Sequence, residues 1–233
     1  MADRRKKSAR PTTSASLGRI EARARGTVVS AAQAMAKMGL SPGRSGNVSM
    51  RFGDGMLITP TGMPYDSLTP DDVVMVWADG RVAAPRRKPS SEWHFHLAAY
   101  AARHDRSAVV HTHSLHATVL ACAHKPIPAF HYMVAVAGGD DIPLVPYATF
   151  GTPELAALVA VGLRDRDACL MAHHGMIALG ADLPSALELA AEVEVLAEQY
   201  CKVLALGPAH ILPIEEMTRV IAKFKSYGQK AQE

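Results

Sequence analysis

Cysteine is scarce in this sequence. Cys122, Cys169 and Cys201 are the only three in 233 residues, far apart and with no Cys-x-x-Cys pair. That excludes a disulfide framework and a structural zinc finger, and it fits a reducing, cytoplasmic setting. Aromatic residues are only 6% of the chain, and no basic stretch interleaves with them as a nucleic-acid surface requires. No apolar run nears the ~18 residues of a membrane-spanning helix. The basic N-terminus lacks the apolar stretch of a secretory signal. Neither G-x-x-x-x-G-K-[ST] nor G-x-G-x-x-G occurs, so the common nucleotide-phosphate loops are excluded. The expectation is a chain with no membrane and no nucleic-acid partner.

What is present is ordinary for a globular protein: 48% hydrophobic and 20% charged residues, a proportion that builds one well-buried core. The net charge of +3 is unevenly spread. Residues 1–16 carry five cations against Asp3, a net +4 that leaves −1 for the rest. These residues read as a basic, disordered tail, and 17–233 as the folded domain.

Helix formers over 17–38 end at Gly39, a C-cap residue. The runs VSMRF and MLITP around Gly53-Asp54-Gly55 predict a hairpin, and VVMVW with RVAA around Asp79-Gly80 a second. Helices are expected over 91–103, 115–123, 152–163, 184–206 and about 214–225, with strands at 107–113 and on both sides of His173-His174-Gly175. Ser91 and Thr152 read as N-caps, with Pro153 opening its helix. Strands and helices interleave without repeat or linker, which predicts one α/β domain.

Ten of the 11 histidines lie between His94 and His174. His111 and His113 sit at i and i+2 of a strand, so both rings point to one face, as two ligands of one metal would. The same spacing also suits packed histidines. In His173-His174 adjacent strand residues face opposite sides, so one ring or the other joins a common site. His94 and His96 diverge by about 200° on a helix and cannot chelate together. His94 is read as exposed, and His96 as packed or supporting a ligand. His104, His116, His124, His131 and His210 are read as structural.

Lys88-Pro89-Ser90-Ser91-Glu92 opens a helix, and its free N–H groups and two hydroxyls suit a phosphate as well as they suit plain capping. Ser45-Gly46-Asn47 and Thr61-Gly62 add hydroxyl, amide and backbone donors.

The segments GRSGNVSMRFGDGMLITPTGMPYDSL, KPSSEWHFH, VVHTH, IPAFHYMVAVAGG, PYATFGT, AHHGMIALG and AEVEVLAEQY resemble, in order and near-uniform spacing, the class II zinc-dependent sugar-phosphate aldolases of the aldolase/adducin superfamily. The L-fuculose-1-phosphate aldolase group is the nearest likeness. It covers almost the whole chain from about residue 20. The resemblance implies a three-layer α/β fold with a mixed central sheet flanked by helices. It implies Zn2+, or another divalent ion such as Mn2+ or Co2+, held by His111, His113 and His174, and it selects the second histidine of the pair. It gives Glu92 the role of catalytic acid/base and of fourth ligand at rest. Asn47, Thr61, Gly62, Ser90 and Ser91 match phosphate-binding positions, with Ser45, Gly46 and Arg44 in the same turn. Tyr132 matches a tyrosine that reaches a neighbouring subunit's site, and Phe150 and Tyr227 match residues at the aldehyde end. The implied assembly is a homotetramer with active sites between subunits.

The implied reaction is reversible cleavage of a ketose 1-phosphate to dihydroxyacetone phosphate and an aldehyde. Three neutral imidazoles leave a cation its full charge and an open position. No lysine sits in the constellation, which disfavours a Schiff base. Candidate substrates are L-fuculose 1-phosphate and 5-deoxy- or 5-methylthio-pentulose 1-phosphates. Two features depart from the family pattern: Arg44 replaces a small hydroxyl residue and faces either phosphate or solvent, and Ala172 replaces an amide. Alternatives on the same fold are methylthioribulose-1-phosphate dehydratase and pentulose-phosphate 4-epimerase, the latter carrying Asp where Glu92 stands. A non-catalytic adducin-like assembly module is disfavoured because the ligand set is intact.

Overall fold

Alternation along the strands sorts the core into two layers, one on each side of a central sheet. The computed structural model describes residues 14–83 and 86–224. Its helices are α1 (Ser14–Lys37), α2 (Trp93–Ala102), α3 (Leu115–Cys122), α4 (Pro153–Gly162), α5 (Leu183–Leu206) and α6 (Ile214–Phe224). The strands are β1 (Asn47–Phe52), β2 (Gly55–Ile58), β3 (Val74–Trp77), β4 (Ala108–Thr112), β5 (Leu144–Val145), β6 (Ala168–Met171) and β7 (Gly175–Gly180). They form one seven-stranded sheet in the order β3-β2-β1-β4-β7-β6-β5. Every pairing is antiparallel except β5 with β6, so the sheet is mixed.

Ala108, Val110, Ala168, Leu170, Met176 and Ala178 face one side, where α1, α3 and α5 cover them with Val28, Met35, Leu120, Val193 and Leu196. Val109, Cys169, Met171, Ile177 and Leu179 face the other, against Phe95, Leu155 and Val159 of α2 and α4. Covering both faces makes β4, β6 and β7 wholly buried, which is why β6 and β7 read as unbroken apolar runs and β4 does so up to His111. Each buried Leu, Ile or Val contributes about 1.5–3 kcal/mol relative to exposure.

Most boundaries follow local chemistry. α1 ends where the Leu40 N–H reaches the Met35 carbonyl and the Gly39 N–H that of Ala36, a Schellman pair. Thr152 accepts from the Leu155 N–H ahead of Pro153, as expected of an N-cap. Two expectations need correction. The second arm of the Asp79-Gly80 hairpin is short: one bridge, Val76 to Val82, flanked by bonds from the Trp77 N–H to the Arg81 carbonyl and from the Ala83 N–H to the Met75 carbonyl. Ser91 is not the cap of α2; Glu92 is the capping residue, and its carboxylate makes no cap bond because it is aimed elsewhere. Residues 1–13 of the expected tail lie outside the described residues.

Gly175 opens β7 where that strand meets β4. A Cβ there would stand 2.4 Å from the Thr112 carbonyl oxygen and 3.3 Å from the His113 Cα. Gly175→Ala is therefore expected to force the strands apart and destabilise the fold by about 1–3 kcal/mol, the range for overpacking. Urea denaturation checks this, and an unchanged midpoint would mean the junction has slack.

Candidate active site

The sheet's alternation decides which polar side chains meet. Asn47 and Ser49 of β1 pair in register with His111 and Val109 of β4, so all four point to the α2 side. The turn of α2 then presents Glu92, Phe95, His96, Ala99 and Tyr100, all buried, at helical spacing toward that surface. His113 continues the parity of His111 just past the end of β4. His174 enters from the turn between β6 and β7.

One nitrogen or carboxylate oxygen from each of Glu92, His111, His113 and His174 lies within 4.8 Å of the others. Glu92 Oε1 is 2.9 Å from His174 Nε2, and Oε2 is 3.2 Å from His111 Nε2. The His113 and His111 Nε2 atoms are 3.0 Å apart. His111 Nδ1 lies 2.8 Å from the Met176 carbonyl, which can only accept, so the ring carries its proton there and turns a bare Nε2 inward. Acceptors thus face acceptors in a buried space, an arrangement that a divalent cation satisfies. Burial alone would raise the Glu92 pKa, but His111 and His174, where a ring is protonated on both nitrogens and donates to it, hold it below the usual carboxylate range. Burial, reinforced by His111 and His174, pushes His113 down to about 3, which leaves its ring neutral and free to bind a cation.

A rim of three turns surrounds this floor. The Thr61 N–H donates to the Lys88 carbonyl and the Ser90 N–H to that of Thr59, stitching residues 59–61 to 88–90. Arg44 donates to the Gly62 carbonyl at 3.0 Å and joins the third turn. Its guanidinium is thus neither directed only to solvent nor held at the floor. Ser45 Oγ donates to the Pro42 carbonyl, the Tyr65 hydroxyl anchors the Gly46 carbonyl, and Ser90 Oγ accepts from the Glu92 N–H. Ser91 is exposed, and the Phe150–Gly151 turn rests against its carbonyl. The rim therefore gathers the hydroxyls and Gly-containing turns that the sequence scattered over some fifty positions.

Other expectations are not gathered here. Tyr132 begins a 3-10 turn (Tyr132–Ala137) and lines a groove of about 670 Å³ with Phe130, Leu212 and Val220, which holds none of the four clustered residues. Tyr227 lies outside the described residues. His94 is half-buried and stacked on Trp93 at 3.7 Å rather than exposed, because the Trp93 ring covers it. His173 turns away from the cluster to meet exposed His124, as the two-face argument allowed. The cause differs, however: the pair sits in a turn, with His173 at φ +55°, and not on a strand. Sequence reasoning missed Ser49 and Tyr100 and left His96 undecided. The signal was there in the spacing of Glu92, His96 and Tyr100 along one helix face.

These features coincide with one known family. The model for the class II aldolase and adducin N-terminal domain matches residues 26–201, and the chain belongs to that family. It is 53% identical over 205 residues to a 5-methylthioribulose-1-phosphate/5-deoxyribulose-1-phosphate aldolase of Rhodospirillum rubrum, spanning 88% of this chain and 92% of the relative. Against the L-fuculose phosphate aldolase of Escherichia coli K12 it is 50% identical over 200 residues, covering 85% and 93%. A solved L-fuculose 1-phosphate aldolase superposes with a TM-score of 0.84 at 38% identity, covering 87% of this chain and 96% of that one. The chain is a class II aldolase by family and fold.

The acceptor-rich floor predicts its own metal dependence. His113→Ala should lower divalent-cation affinity by at least about 100-fold, since one of three imidazoles is removed. Metal content after dialysis checks this. Full retention of stoichiometric metal would remove His113 from the ligand set.

Proposed function

We propose that this chain reversibly cleaves a ketose 1-phosphate to dihydroxyacetone phosphate and an aldehyde, using zinc held by His111, His113 and His174. The convergence of three imidazoles and one buried carboxylate carries the reading. Mn2+ and Co2+ suit the same ligands, and availability decides among such ions. The bound cation supplies Lewis-acid polarisation of a carbonyl oxygen and offsets the charge released when a carbon–carbon bond breaks.

The chain's own groups supply the rest. Glu92 occupies the ligand space at rest and, once substrate enters, carries the proton: in synthesis the carboxylate abstracts it from the carbon beside the carbonyl, and in cleavage the protonated acid returns it there while the C4 hydroxyl yields a proton to replace it. A carboxylate held ionised in a dry pocket suits abstraction, because few waters compete for it. The rim of Arg44, Ser45, Gly46, Thr61, Gly62, Ser90 and Ser91 anchors the phosphate and so fixes the reacting carbons, while Asn47, expected to join them, has its amide committed to Glu92 and His96. Tyr132, half exposed and remote from its own chain's cluster, serves a neighbouring subunit's site in a homotetramer. Phe150 and Tyr227 shape the aldehyde end. A cytoplasmic location fits the scarce cysteines, and no helix among the described residues is long and apolar enough to cross a membrane.

The test is dihydroxyacetone phosphate release from L-fuculose, 5-deoxyribulose and 5-methylthioribulose 1-phosphates, with and without chelator. Release that stops with chelator and returns with metal is expected. An intact carbon skeleton with metal present would instead favour dehydratase or epimerase chemistry. Glu92→Gln should lower kcat by at least about 100-fold, the lower bound for loss of a general acid/base. Near-normal turnover would take Glu92 out of the proton path.

A further inference from the structure

Behind Glu92 a polar seam runs through the core between α2 and β1. Asn47 Nδ2 donates to Glu92 Oε2 at 2.8 Å, and Asn47 Oδ1 meets His96 Nε2. His96 Nδ1 meets Ser49 Oγ at 2.7 Å, and Ser49 Oγ meets the Tyr100 hydroxyl at 2.8 Å. Arg51 lies over the Tyr100 ring, 4.6 Å from its centroid, and donates to the Tyr100, Arg103 and Arg106 carbonyls at the end of α2. Helix and strand contribute alternately: Glu92, Asn47, His96, Ser49, Tyr100, Arg51. Two elementary repeats make this possible. Four residues of helix rise about 6 Å, and two residues of strand rise about 6.6 Å. Positions i, i+4 and i+8 of α2 therefore stay in step with i, i+2 and i+4 of β1.

The direction of every proton in the seam follows from its end. An ionised Glu92 only accepts, so Asn47 must present its amide N–H to it and its carbonyl oxygen to His96. That oxygen only accepts, so His96 carries its proton on Nε2. A neutral His96 then has a lone pair on Nδ1, which must accept from the Ser49 hydroxyl. The Ser49 oxygen in turn accepts from Tyr100. His96 and Ser49 are wholly buried, and Asn47, Glu92 and Tyr100 nearly so, so water cannot substitute for a lost partner.

We infer that Tyr100, Ser49 and His96 are positioning residues. Their one-directional hydrogen-bond chain fixes the Asn47 amide, and through it holds the Glu92 carboxylate in its working orientation. The catalytic part of this inference rests on the role proposed for Glu92; the proton order does not. If Ser49 is lost, His96 is free to shift its proton to Nδ1. Asn47 then flips to donate to Nε2, and its oxygen is turned on the Glu92 carboxylate.

The experiment is ¹⁵N-histidine NMR on the metal-loaded enzyme, paired with steady-state kinetics. In the native chain His96 is expected as the neutral Nε2–H tautomer. Ser49→Ala should abolish that single-tautomer signature and lower kcat about tenfold, the low end for such supporting groups. KM and metal content should stay within twofold. Tyr100→Phe, which keeps the ring, should show the same kcat-only split with a smaller, two- to threefold loss. It carries the kinetic arm if Ser49→Ala does not fold. An Nδ1–H tautomer in the native protein overturns the chain. Unchanged kcat in the folded variants overturns the positioning role. If the loaded native enzyme cleaves none of the ketose 1-phosphates, the proposed function falls, while the His96 tautomer still decides the seam.

Discussion

A buried carboxylate facing nitrogen atoms that do not all donate to it is the constraint on which the rest of the structure depends. His111 commits its proton to the Met176 carbonyl, so the atom it turns toward Glu92 and His113 is a lone pair. The β4–β7 register sets that commitment by placing Met176 opposite Thr112 and Ile177 opposite His111. A shift of one residue would turn His111 into the opposite apolar layer and leave Glu92 without its partner. The antiparallel centre of the sheet therefore both packs the core and sets which nitrogen His111 turns into the site.

The same constraint explains why polar groups are tolerated so deep in the protein. On the α1–α3–α5 side the buried strand residues are apolar apart from Thr112. On the α2–α4 side, Asn47, Ser49, Glu92, His96 and His111 are all buried. Burial holds the His96 ring neutral, with its pKa pushed down to about 3, and each of its nitrogens has a partner. A polar group left unpaired at such depth costs about 1–3 kcal/mol, so the seam is stable only as a complete set. That completeness favours one arrangement of the floor, which the acid/base role proposed for Glu92 requires.

Much of this was legible in the sequence, for reasons that differ by element. The strand pair of His111 and His113 follows from a period of two, and the hairpin at Gly53-Asp54 and the cap at Thr152 from local chemistry. The choice of His174 over His173 did not follow from strand parity. Both lie in a turn, and the left-handed backbone at His173 sets which ring points inward. Ser91 was read as a cap from composition, but the acidic cap position is taken by Glu92, whose side chain is drawn to the histidines instead. The Glu92–His96–Tyr100 spacing was visible but looked like core packing. Only the neighbouring strand, with Asn47 and Ser49 on the same face, gives it a polar partner.

The division between floor and mouth also bears on substrate choice. The bonds made and broken lie between the phosphate-bearing carbon and C4, over the cluster and its rim. The candidate ketose phosphates differ beyond C4, the end proposed for Phe150, which stands exposed next to the Ser91 turn. An apolar wall discriminates weakly between a methyl and a larger apolar group, about 1–3 kcal/mol per methylene. A wall built to hydrogen-bond a hydroxyl rejects an analogue lacking it far more strongly. Phe150 offers no hydrogen bond, so a strict demand for a hydroxyl would rest on a tyrosine proposed for the aldehyde end, Tyr227 or a neighbouring subunit's Tyr132. Under the proposed function, selectivity among these sugars then belongs to the tyrosines around the mouth, while the aldol chemistry belongs to the floor of each chain.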